Sequence, residues 1–152
     1  MDNNGEEFKR LKNQAHSKYV SIGSVYSPVL RSSIFFNSNG WHHLRYDSNR
    51  SERKKIIQLN KFRFFEDAVS TIKKSTTIQE YRRISVENYE KESVVEWFAF
   101  WSVISFTRQI RIKVIIRRVG GFDGQYHFWS VMPFWSLRHR ERAICSVNLS
   151  DE

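Results

Sequence analysis

Two adjacent histidines, His42 and His43, stand just before Arg45 in the stretch NGWHHLRYDSNRSERKK, Asn39 to Lys55. Histidine titrates near neutrality and can take or give a proton. Arginine stays charged and offers a planar fork of donors to an oxyanion. A basic run follows at once, with Arg50, Arg53, Lys54 and Lys55. Proton transfer beside a bound phosphate is the chemistry these residue types allow. Further polar candidates lie far along the chain, in QIRIKVIIRR (109–118) and YHFWSVMP (126–133).

Those groups act together only if the elements that carry them converge. Residues 5–17 have Phe8, Leu11 and Ala15 at helical spacing, with acids first and bases later, as a helix dipole favours. Ile34–Asn37 and Trp41–Tyr46 read as strand pieces around an Asn-Ser-Asn-Gly turn. Ser51 caps an expected helix to about Lys74, with Ile56, Leu59, Phe62 (or Phe64 and Phe65), Val69 and Ile72 as its stripe. Four β-rich segments then follow, 76–86, 94–106, 109–118 and 125–132. The last two are joined across Gly120-Gly121-Phe122-Asp123-Gly124. The tail segment SLRHRERAI suggests a short helix. The expected fold is therefore α+β: one or two N-terminal helices packed on a twisted antiparallel sheet of about four to five strands.

Alternation assigns the faces. Ile110, Ile112, Val114 and Ile116 point toward the helices, and Arg111, Lys113, Ile115 and Arg117 point away. If Leu44 faces the core, His43 and Arg45 face out. Pairing Arg118 with Gln125 sets Lys113 opposite Ser130 and Arg117 opposite Tyr126, and leaves His127 and Trp129 on the core side. A bulge in the glycine loop would reverse that. The result is a sheet face with His43, Arg45, Arg111, Lys113, Arg117, Tyr126 and Ser130 beside aromatic rings. Cations hold phosphates and rings stack on bases, so the face suits single-stranded RNA or an exposed RNA loop.

Bulk properties agree with a polyanion partner. The 152 residues suit one domain, with a core over about 20–133 and a polar tail at 134–152. The formal charge is +9, and 15% of residues are aromatic. A basic chain of this size favours nucleic acid, an anionic surface or an acidic protein. Cys145 is the single cysteine, so no disulfide forms within the chain. No Cys/His group has zinc spacing, and no phosphate-binding or dinucleotide-binding loop is present. No run approaches a membrane-spanning length and the start lacks an apolar signal core, so a cytoplasmic location is expected, with no membrane partner.

FFNSNGWHHL (35–44) and HFWSVMP (127–133) resemble motifs of the barnase–EndoU–colicin–RelE (BECR) group of RNases, in its phage and mobile-element branch. There a Phe-Asn-x-x-Gly-Trp-x-His-Leu stretch leads into a basic helix, and a last strand ends in Phe-x-Ser-Val. The resemblance spans roughly residues 20–133. It implies a BECR-like fold, metal-independent endoribonuclease activity through a 2′,3′-cyclic phosphate, no cofactor, and a toxin held by an acidic antitoxin or immunity protein. The RNA would be tRNA, mRNA or rRNA. His43 matches the histidine before leucine and Ser130 the serine of the last strand.

On that reading His43 transfers the proton, Arg45 and Lys113 stabilise the transition state, and Ser130 positions the phosphate. Tyr126 or His127 supplies the second proton-transfer role. Arg50, Arg53, Lys54, Lys55, Arg111 and Arg117 bind RNA, and no residue is assigned to a metal. His42 is read as serving its strand, and His16 and His139 as solvated. Trp97, Trp101, Trp129 and Trp135 are read as core. The competing expectations are a nucleic-acid-binding module that uses the same basic face without cleavage, and a protein-interaction factor whose positive surface meets an acidic partner.

Overall fold

The computed structural model describes residues 3–88, 91–137 and 140–142. Helix α1 (Asn3–Ile22) is followed by a short antiparallel pair, β1 (Ser24–Ser27) and β2 (Ser32–Phe35). Three helices come next, α2 (Ser38–Arg45), α3 (Lys55–Arg63) and α4 (Phe65–Lys74). The rest is a meander: β3 (Glu80–Asn88), β4 (Lys91–Ser105), β5 (Ile110–Val119), β6 (Tyr126–Leu137) and β7 (Arg140–Arg142). One sheet holds seven strands, in the order β1-β2-β6-β5-β4-β3, with β7 also on β6. The β2–β6 contact is parallel, so the sheet is mixed. The α+β layout is as expected, but the helices and strands are more numerous.

The alternation of β5 decides the layers. Ile110, Ile112, Val114 and Ile116 join Phe98, Phe100, Phe128 and Val131 on the face that packs against the helices. Tyr19 of α1, Leu44 of α2 and Phe65, Ala68 and Ile72 of α4 close that core. Ile115 points the other way, into a smaller cluster with Val95, Trp97, Ala99 and Met132. Both halves of the expected β5 pattern hold.

Three expectations are overturned. Trp41–Tyr46 is not a strand but lies largely within helix α2. Asn37 is its N-cap, and its Oδ1 accepts the Gly40 N–H at 3.1 Å. The short polar side chain that reads as a turn signal is also a helix start. The expected helix Ser51–Lys74 is two helices that break at Phe64, whose φ is −96° and ψ 7°. The break lets the adjacent rings of Phe64 and Phe65 both be buried, which one straight helix would turn about 100° apart. Ser51 caps nothing, because α3 starts after Lys54 without a side-chain cap. Finally, Arg140–Arg142 is a strand paired with Trp135–Leu137, where a helix was expected. His139 and Cys145 lie outside the described residues.

β6 has an interrupted outer edge. β2 pairs with it at Tyr126 and His127, and β7 at Trp135–Leu137. Between these, α2 and α3 lie against it. A Cβ on Gly40 would stand 2.5 Å from the Phe128 carbonyl oxygen and collide with the Tyr19 hydroxyl. Only glycine lets α2 approach the strand this closely. Lys61 of α3 donates to the Val131 carbonyl at 3.1 Å, meeting an acceptor that a neighbouring strand would otherwise satisfy.

Candidate functional site

A β-bulge builds the site. Ile116 pairs with Phe128, but Ile115 pairs with Ser130, so Trp129 is the extra residue. Bulges re-aim side chains. Here it sets Trp129 and Ser130 side by side on the face away from the helices, with Met132 next; His127 shares that face because the hairpin pairs it with Arg117. The register differs from the expected one. Arg118 pairs with Tyr126, Arg117 with His127, and Lys113 with Met132 rather than Ser130. Tyr126 thus belongs to the helix side, where its hydroxyl accepts from Arg118 at 2.7 Å. His127 is not on the core side.

Trp129 is the hub. The His43 ring stacks on it at 4.3 Å and 23°. The Arg117 guanidinium lies 4.3 Å from the same ring and 5.9 Å from Trp97. These are cation–π distances. Arg117 makes no hydrogen bond or ion pair among the described residues, and its buried Nε has no partner. Burial pushes its pKa down from the ordinary value. It opens on a pocket of ≈ 340 Å³ lined by Asn37, Asn39, Arg117, Val119, Gln125, His127 and Trp129. None of those residues is acidic. Burial, and then the charge of Arg117, lowers the pKa of His127 from 6.5. At neutral pH His127 is therefore an unprotonated base beside an unpartnered cation.

His43 is in a different state from the one its motif suggests. It does not face out, being only 4% exposed on α2. Arg53 donates to its carbonyl at 3.1 Å and approaches its Nε2 at 3.3 Å. A guanidinium only donates, so Nε2 accepts and the ring is neutral with its proton on Nδ1. Burial, reinforced by the charges of Arg53, Lys61, Arg117 and His42, pulls the pKa down to about 3. His42, by contrast, is exposed on the same helix and stacks on Tyr46.

The other expected cations are already engaged. Arg45 pairs with Glu52 at 3.3 Å and donates to the side-chain amide Oε1 of Gln58. Lys113 is buried and pairs with Glu80 at 2.8 Å over the Trp101 ring. Arg111 also lies over Trp101. Ser130 is fully buried and accepts from Lys61 at 2.8 Å. Arg50, Lys54 and Lys55 are exposed at the start of α3, and Arg53 turns inward to His43.

The structure thus gathers His43, Arg53, Arg117, His127 and Trp129, with Ser130 behind them. It leaves Tyr126, Arg45 and Lys113 in other contacts. Sequence reasoning missed the hub role of Trp129, the pocket asparagines Asn37 and Asn39, and Lys61 at the strand edge. The signal for α2 was present as Asn37 ahead of Ser38-Asn39-Gly40; nothing local announces the bulge. Among the described residues no group of three or more His, Cys, Asp or Glu could hold a metal ion. No helix there is long and apolar enough to cross a membrane. No protein-family model, curated protein or solved structure matches the chain.

Proposed function

We propose that the chain binds RNA at the Arg117 pocket and cleaves it as a metal-independent endoribonuclease. The observation that carries this reading is Arg117 itself: a half-buried guanidinium with no counter-ion among the described residues, held by two tryptophan rings at the rim of an acid-free pocket. A phosphate supplies the missing acceptor oxygens and offsets the cost of burying that charge. His127, on the neighbouring strand position, is neutral and takes the 2′-hydroxyl proton. The 2′-oxygen attacks phosphorus, Arg117 stabilises the charge that develops, and the 5′-oxygen leaves with a proton from solvent. The product is a 2′,3′-cyclic phosphate. His43 serves by fixing Trp129, and through it Arg117.

The motif resemblance to the BECR RNase group supports the same chemistry. The +9 charge supports a toxin whose acidic antitoxin covers the basic face. Purified protein incubated with tRNA and ribosomal RNA in EDTA should give discrete fragments ending in cyclic phosphate. His127→Ala should lose cleavage and keep binding, and Arg117→Ala should lose cleavage and bind RNA more weakly. Cleavage unchanged in both variants would overturn the assignment. A second reading, an RNA-binding module without cleavage, is favoured by the burial and low pKa of His43, which leave one accessible histidine at the pocket. Tight RNA binding by a protein that leaves every RNA intact would select it.

A further inference from the structure

Across the sheet, the pocket belongs to one continuous row of paired residues. Arg82 pairs with Trp97, Trp97 with Arg117, Arg117 with His127, His127 with Phe35, and Phe35 with Ser24. All lie on the face away from the helices. At the far end of the row the aromatic surface is uncovered: Phe35 is 38% exposed and Tyr26 58% exposed. Tyr26 pairs with Ser33, two residues from Phe35, so the two rings are diagonal neighbours on that face. The Phe35 ring lies 6.2 Å from His127. Two exposed rings side by side at the edge of a pocket make a contiguous apolar patch, the kind of surface that marks a ligand site.

We infer that Phe35 and Tyr26 form a base-stacking platform, and that the ligand of this face is single-stranded rather than duplex RNA. This rests on the reading of Arg117 as the phosphate site. Arg117 and Phe35 are two strand spacings apart, about 10 Å. That span suits an extended strand with its phosphate on Arg117 and a neighbouring base laid on the ring. Bases stacked inside a duplex present no free π-face to such a platform, whereas unpaired bases do. The cations on the row and the lack of acids in the pocket favour RNA over a peptide ligand. A platform of this kind accepts any base, since every base has a π-face.

The test uses the full chain and a fluorescent 2′-O-methyl RNA, which lacks the attacking hydroxyl, so binding is read without cleavage. The unstructured strand and its annealed duplex are titrated at one salt concentration. The single strand should bind at least about tenfold tighter than the duplex. Phe35→Ala and Tyr26→Ala should each weaken single-strand binding by about tenfold and leave duplex binding and the salt dependence unchanged. Phe35→Trp should restore affinity. Equal binding of strand and duplex, or wild-type affinity in both alanine variants, overturns the platform. If Arg117→Ala alone loses affinity, the phosphate site survives and the platform falls. If wild-type protein binds neither RNA, both readings fall together.

Discussion

At the scale of single residues, the two histidines beside Trp129 and Arg117 differ in what a proton costs them. His43 is held neutral in the folded chain down to pH about 3, but titrates at its ordinary value of 6.5 once unfolded. Between those values the unfolded state binds more protons, so stability falls as pH drops through that window. The slope is up to about 1.4 kcal/mol per pH unit. His43→Phe keeps a ring to stack on Trp129 and removes the titration. Urea midpoints of wild type and His43→Phe should therefore diverge less at pH 4.5 than at pH 7, as the wild type loses its advantage. Parallel pH curves would show that His43 is not the group responsible. His127 predicts a different profile. Its pKa is lowered from 6.5, so cleavage should rise with pH along a limb lying below that value and stay level above it. A rate that does not vary from acid to neutral pH would remove His127 as the base.

At the scale of elements, the site depends on how closely α2 and α3 press on the open stretch of β6. Gly40→Ala pushes a methyl group into the Phe128 carbonyl and the Tyr19 hydroxyl. Overpacking of this kind costs about 1–3 kcal/mol, and here it displaces the helix that carries His43. Thermal unfolding should show the loss, and RNA affinity should fall with it. Lys61→Ala strips the Ser130 hydroxyl and the Val131 carbonyl of a donor, at about 1–3 kcal/mol for each buried group left unmet. A change within about 0.5 kcal/mol in denaturant unfolding would mean that water replaces the amine. The same elements show what could be read from sequence. The β5 faces follow from a period of two, and β3 to β6 from β-rich runs between turn signals. Asn-Ser-Asn-Gly reads equally as a turn or a cap, and only Tyr19 and Phe128, distant in sequence, explain why Gly40 is there. The hairpin pairs Arg118 with Tyr126 rather than Gln125, and that one-residue shift puts His127 on the side away from the helices, while the Trp129 bulge sets the facing of Ser130 and Met132. One inserted residue cannot be seen in a strand whose alternation is already broken by Trp129-Ser130-Val131-Met132.

At the scale of the whole molecule, the net charge of +9 is what remains after every acid is counted, so ion-paired cations contribute nothing to it. Arg45, Lys113 and Arg118 are tied to Glu52, Glu80 and Glu96, so their charges largely cancel locally. Two of the cation sites left for a polyanion are the exposed basic start of α3 and the Arg117 pocket. The first steers any phosphate backbone, and the second selects one phosphate by geometry. The two contributions separate by salt. For single strands, each phosphate contact adds about 0.7 to the slope of log affinity against log salt. Removing both Lys54 and Lys55 should lower that slope by up to about 1.4 and weaken all RNAs alike. Arg117→Ala should lower it by only about 0.7 yet cost more affinity, because a desolvated, charge-assisted contact is lost along with the counter-ion effect. Titrations across a salt series on wild type and the two variants decide it. Equal losses per charge removed would mean that Arg117 is one more surface cation, and that the pocket has no special hold on phosphate.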